Sequence, residues 1–162
     1  MTFQHSQHSV GGSNYHLQFT PKYRRHIFRS RKIRKLCEAL FRRKAHQLGI
    51  RIESMEFGPE HVHVFVTNCR KYSVSDLVFH FKGYSSWYIR KHAWDDVKHK
   101  LWGKSFWSGG DFYESVGRVT TESVKFYIER QQGRHWEGLD HEVYASQQSI
   151  IPGGQRLVSD FM

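Results

Sequence analysis

The chain has 162 residues, 38% hydrophobic and 15% aromatic, enough apolar material for a single domain with a real core. Lys plus Arg number 25 against 15 Asp plus Glu, a formal net charge of +10 that points to nucleic acid, since stacking rings accompany the cations. No stretch approaches the ~20 apolar residues of a bilayer-spanning helix, residues 1–13 lack the apolar core of a signal peptide, and Cys37 and Cys69 are too few for a disulfide framework, so a reducing, cytoplasmic setting with no membrane partner is expected.

Met1 to Ser13, rich in Gln, His, Ser and Gly, reads as a loose leader. From Asn14 to Thr20 the chain alternates, with Tyr15, Leu17 and Phe19 on one face, which predicts a strand that Pro21 ends. Lys22 to His26 follows as a basic, aromatic loop. From Ser30 the period becomes helical, with Ile33, Leu36, Cys37, Leu40, Phe41, Ala45 and Leu48 on one stripe and Gly49 as the stop. Arg31, Lys32, Arg34, Lys35, Arg42 and Arg43 are assigned to the solvated face of that helix. Ile50 to Phe57 is a second strand, joined through Gly58-Pro59 to a third that carries His61-Val62-His63-Val64-Phe65-Val66. Ser73-x-x-Asp76 is a capping box, opening a second helix with Val74, Leu77, Val78, Phe81 and Tyr88 inward. Ala93 to Lys104 reads as a polar loop with a frayed helix end, and Phe106 to Ser115 as a strand interrupted at its glycines. Thr120 or Thr121 caps a last helix running to about Gln132, and beyond Trp136 the periodicity fades. The order β-α-β-β-α-β with an added C-terminal helix predicts an α+β, ferredoxin-like (RRM-like) antiparallel sheet with helices on one face. The expected divisions are a leader at 1–13, one domain at 14–136 and a tail at 137–162.

In that sheet the first and third strands are central neighbours. His61 and His63, two apart on a strand, project from one face, beside His16 and Gln18 and opposite Val62, Val64 and Val66. Two imidazoles on a rigid strand can share one divalent metal ion. Taken alone, the motif reads more readily as two half-exposed histidines on a sheet surface. On the last helix Tyr127 and Gln131 lie one turn apart with Val124 and Ile128, a face that also serves as an ordinary packing stripe. An amide there needs a partner, because leaving one buried and unsatisfied costs ~1–3 kcal/mol. A metal on His61 and His63 would supply that partner, and a nearby phenol could attack a phosphodiester.

A set of segments in fixed order then resembles the single-tyrosine HUH (His-hydrophobe-His) transposases of the small bacterial and archaeal insertion sequences, the transposase A family. They are Tyr15-His16-Leu17 with Thr20-Pro21-Lys22-Tyr23-Arg24, Pro59-Glu60-His61-Val62-His63-Val64, Phe81-Lys82-Gly83-Tyr84-Ser85-Ser86, Phe106-Trp107 to Val116-Gly117, and Tyr127-Ile128-Glu129-x-Gln131. The resemblance implies that His61, His63 and Gln131 bind Mg²⁺ or Mn²⁺, and that Tyr127 cuts single-stranded DNA to leave a 5′-phosphotyrosine and a free 3′-OH. It implies hairpins near the element ends as substrate and a homodimer in which the tyrosine helix of one subunit can complete the partner's site. Lys22, Arg24, Arg25 and Lys82 lie in matched segments and are the candidate DNA contacts.

A two-histidine phosphoesterase would need a second His-x-Thr/Ser element, and a zinc deaminase His-x-Glu with Pro-Cys-x-x-Cys; the chain has neither. A non-enzymatic RNA-binding module shares the element order but carries aromatics, not histidines, on its middle strands. A domesticated relative that cuts repeated chromosomal hairpins differs only in its DNA.

Overall fold

The computed structural model describes residues 3–101 and 103–117. The expected last helix, with Tyr127 and Gln131, and the tail at 137–162 lie outside the described residues.

Among the described residues the strands and α-helices follow in order: β1 (Gln4–Ser6), β2 (Ser9–Gly11), β3 (Asn14–Phe19), α1 (Arg31–Leu48), β4 (Arg51–Gly58), β5 (His61–Thr67), α2 (Val74–His92), α3 (Trp94–Val97) and β6 (Phe112–Val116). The main sheet has the order β4-β5-β3-β6, antiparallel throughout, so the first and third strands of the ferredoxin-like core are indeed its central pair. Each central strand alternates by burial partner. Leu17 and Phe19 of β3, with Val62, Val64 and Val66 of β5, enter the core built with the helices, while His16, His61 and His63 take the other face.

Local chemistry explains the helices. Ser30 caps α1 by accepting the Ile33 N–H, and Gly49 ends it in the left-handed region at φ 70°, where a side chain would be strained. Ile33, Cys37, Leu40, Phe41 and Ala45 are its buried stripe. Ser73 and Asp76 complete the expected capping box at α2, whose Leu77, Phe81 and Ile89 are buried. Phe41 is fully enclosed, with ring contacts to Phe19, Phe81 and Trp107 that join α1, β3, α2 and the segment before β6. Phe41→Ala is therefore expected to destabilise the fold by ~3–5 kcal/mol, read as a lower urea midpoint at unchanged slope. A loss below ~1 kcal/mol would mean that the cluster re-closes over the cavity. Both cysteines are buried packing groups; burial pushes the Cys69 thiol up to about 12 and raises Cys37 as well, aided by the Glu38 charge, so both stay protonated.

Some expectations are corrected. Residues 4–11, read as a loose leader, form a β1-β2 hairpin. It is fastened by side chains that strand periodicity does not register: Gln4 donates to the Asn68 carbonyl at 3.3 Å and Arg70 to Ser6 Oγ at 2.9 Å. Arg34, assigned to the solvated face, is buried with its guanidinium donating to the Phe28 carbonyl at 2.8 Å. One expectation holds: the strand over Phe106 to Ser115 is interrupted at its glycines. Trp107 bridges Pro21, the chain turns away over Gly109–Asp111, and regular pairing resumes only at Phe112. Lys82 stabilises the break, donating to the Ser108 carbonyl at 3.1 Å, the Gly110 carbonyl at 2.8 Å and Asp111 Oδ1 at 3.3 Å.

Candidate active site

The centre of the non-helical face is set by register. Gln18 lies opposite His63 on β3 and Glu56 opposite it on β4, while Gly58 lies opposite His61. The β4-β5 turn is only Pro59-Glu60, so the strands cannot slip without moving every side chain to the wrong face. The rings of His61 and His63 stand with centroids 5.0 Å apart at a steep angle, both almost fully buried. The alternative of two half-exposed histidines on a sheet surface is thus overturned: both rings are enclosed, where electrostatic interactions strengthen.

Each ring has its Nδ1 engaged. Glu60 Oε1 lies 3.3 Å from His61 Nδ1. The hydrogen bond from His61 leads the causes that hold the Glu60 carboxyl below its usual range, ahead of the charges of His61, His26 and Arg24, with burial opposing them. Glu60 is thus an ionised acceptor placed beside His61 Nδ1. His63 Nδ1 lies 2.7 Å from His16 Nε2 across the central strand pair. A His63 that offers Nε2 to a cation carries its proton on Nδ1, and His16 is placed to accept it. Metal-binding histidines are commonly held this way, with the second nitrogen tied to a carboxylate or another acceptor. The donor chemistry therefore fits a divalent ion, with Nε2 of His61 and His63 as two ligand nitrogens. Among the described residues no group of three His, Cys, Asp or Glu could hold an ion.

The predicted site residues divide accordingly. His61 and His63 are brought together; Gln131 and Tyr127 lie outside the described residues. Lys22 reaches the Phe106 carbonyl through its backbone N–H at 2.8 Å and holds its ammonium 5.4 Å from the Tyr23 ring centroid. Arg24 is exposed and 3.6 Å from Glu60 Oε1. Arg24 and Arg25 line one cleft of about 420 Å³ together with Tyr23, His26, His99 and Lys100. Lys82, a candidate DNA contact, directs its ammonium to the 108–111 loop, with 14% of its side chain exposed. Sequence reasoning placed His16 beside the pair without giving it a role, and passed over Glu60, His99 and Lys100. The adjacency of Glu60 to His61 was the available signal for one; for His99 and Lys100 there was none, because only the fold brings residues 99–100 to the 23–26 loop.

The family model described as Transposase IS200 like matches residues 9–131. The chain belongs to the IS200-like transposases. It is 31% identical over 124 residues to the transposase for insertion sequence element IS200 of Salmonella typhimurium, covering 76% of this chain and 80% of that one. It is 30% identical over 120 residues to the ISDra2 transposase TnpA of Deinococcus radiodurans, covering 74% and 84%. Among solved structures, a candidate transposase from Deinococcus radiodurans R1 superposes with a TM-score of 0.63 at 24% identity over 79% of this chain and 97% of that chain. A REP-associated tyrosine transposase bound to a REP hairpin superposes at 0.55, with 11% identity over 81% and 71%. At those identities the two structures bear on the fold alone, which they share. Family membership places this IS200-like transposase among the enzymes that cleave and transfer DNA. No helix among its described residues is long and apolar enough to cross a membrane.

Proposed function

We propose that this transposase nicks and rejoins single-stranded DNA at hairpin-marked element ends through a covalent phosphotyrosine. The observation that carries the reading is the pair His61 and His63 on the buried non-helical face, each with Nδ1 held by a neighbour. Two imidazoles side by side on a rigid strand suit a shared cation. His61, His63 and the amide oxygen of Gln131 would hold Mg²⁺ or Mn²⁺, a mixed nitrogen and oxygen set. When bound, that ion polarises the scissile phosphodiester and offsets charge on its oxygens.

The chain's own groups do the rest. The phenolic oxygen of Tyr127 gives up its proton and attacks phosphorus; the bond to the 3′ oxygen breaks, and that oxygen leaves as a 3′-OH after taking a proton. The 5′ end stays on Tyr127 as a phosphodiester, so the 3′-OH of another strand can reverse the step without an external energy source. Glu60 and His16 keep the two imidazoles in one tautomer. The basic 22–26 loop and the net charge of +10 draw the strand in. Resemblance supports a homodimer with shared sites, and the hairpin held by the REP-associated relative supports a hairpin substrate. A domesticated relative acting on chromosomal hairpins would use the same chemistry.

The test is covalent trapping. The full chain, a single strand carrying a hairpin, and Mg²⁺ or Mn²⁺ should yield a protein–DNA adduct stable to denaturing electrophoresis. Mass spectrometry of the nuclease-trimmed adduct should place the phosphate on the peptide containing Tyr127. A phosphate on any other side chain, or cleavage without an adduct, sinks the proposal.

A further inference from the structure

The 22–26 loop forms one wall of a cleft lined by Tyr23, Arg24, Arg25, His26, His99 and Lys100, and the last two have no part in the chemistry above. Its two walls come from segments more than seventy residues apart, joined where Lys100 Nζ donates to the His26 carbonyl at 3.4 Å. Three of its lining side chains are permanent cations, two are imidazoles and one is a phenol ring. Its floor is set by an uncommon backbone: Tyr23 and Arg24 have φ of 61° and 51°, in the left-handed region that side chains rarely adopt. The Phe28 N–H donates to the Pro59 carbonyl at 3.1 Å, fixing this loop against the β4-β5 turn. Glu60 of that turn is shared: Arg24 reaches its Oε1 at 3.6 Å, His26 its Oε2 at 3.9 Å, and His61 its Oε1 at 3.3 Å. Glu60, next to His61 in sequence, thus ties the loop that lines the cleft to the histidine pair.

We infer that this cleft is a subsite for one backbone phosphate of the DNA single strand, with His99 and Lys100 as binding residues and the Tyr23 ring beside the adjoining nucleoside. A volume of about 420 Å³ suits a nucleotide unit better than a folded duplex, and cations with an aromatic ring form the usual cradle for an unpaired strand. The inference rests on the single-strand reading given under Proposed function.

The experiment is a methylphosphonate walk. Strands in which one phosphate at a time is made neutral are bound to the full chain without added metal, for the wild type and for His99→Ala/Lys100→Ala. One position should weaken the wild type and leave the double variant unaffected, the signature of a direct pair. The double variant should also lower the slope of log affinity against log salt by ~0.7, one single-strand phosphate contact. Lys100→Gln alone guards against misfolding. Lys98→Ala removes an exposed cation of the same segment that is paired with Asp95 outside the cleft, and should keep the wild-type walk profile. A walk identical in wild type and double variant overturns the subsite. So does a flat walk accompanied by inorganic phosphate shifting the amide resonances of residues 99 and 100, which would make the cleft a free-anion site. A positive walk with no covalent adduct would keep the subsite and reject the phosphotyrosine; an adduct with a flat walk would do the reverse.

Discussion

Tyr127→Phe is expected to eliminate the covalent adduct and to lower strand cleavage by roughly four orders of magnitude or more, as removal of a covalent nucleophile does elsewhere. Binding of the hairpin strand should stay within about twofold, because one hydroxyl contributes little against an affinity set by many phosphate contacts. Mn²⁺ binding, measured calorimetrically, should also persist. His63→Ala supplies the contrast. It removes a proposed ligand nitrogen and the partner of His16 Nε2, so Mn²⁺ affinity and cleavage should fall together while strand binding at low salt survives. The two variants therefore separate the nucleophile from the ion-holding pair. If Tyr127→Phe still forms an adduct, another side chain is the nucleophile. If His63→Ala binds Mn²⁺ like the wild type, the buried pair is a packing feature and the metal reading fails.

How much of this could be read before folding depends on the range of the interaction. Period-2 alternation at Tyr15, Leu17 and Phe19, and helical spacing from Ile33 to Ala45, specify elements locally and were legible. The sheet order followed from connection rules, and it placed His16 next to His63. Legibility failed where a polar side chain changes sides. Arg34 reads as part of a solvated run, yet its guanidinium satisfies the Phe28 carbonyl in the interior. Lys82 reads as a candidate DNA contact in a matched segment, and the three oxygens of the 108–111 loop around its ammonium went unread. Hydropathy patterns register which groups avoid water, not which polar atoms find each other across the chain. For the same reason the histidine pair was legible and its supports were not. Spacing of two on a strand is local, whereas the contacts to His16 and to the Arg24–Glu60 network exist only once the sheet and loop are assembled.

Gly58 brings that point to a prediction. In the sequence, Gly58-Pro59 reads as a turn, but Gly58 is the last paired residue of β4, directly opposite His61, and its φ is not in the left-handed region. Its lack of a side chain serves close approach instead. A Cβ at this position would overlap His61 Cε1 and lie 2.6 Å from Nε2 and 2.7 Å from Nδ1. The His61 ring is 1% exposed and tied to Glu60, so it has little room to yield. Gly58→Ala is therefore expected to turn the ring off its Glu60 hydrogen bond and to weaken Mn²⁺ binding by ~10–100-fold, the usual cost of disturbing the support of a metal-binding histidine. Cleavage should drop in parallel, with a stability loss of ~1–3 kcal/mol from overpacking. Gly83→Ala is the matched control. It lies inside α2 with nothing within 4 Å of an added Cβ, and the same chemical change there should raise helix stability by ~0.5–1 kcal/mol. The two substitutions add one methyl each, so opposite signs would isolate the effect of the His61 contact. Wild-type Mn²⁺ affinity in Gly58→Ala would mean that the ring position is not what the site depends on, and the metal reading would have to be abandoned.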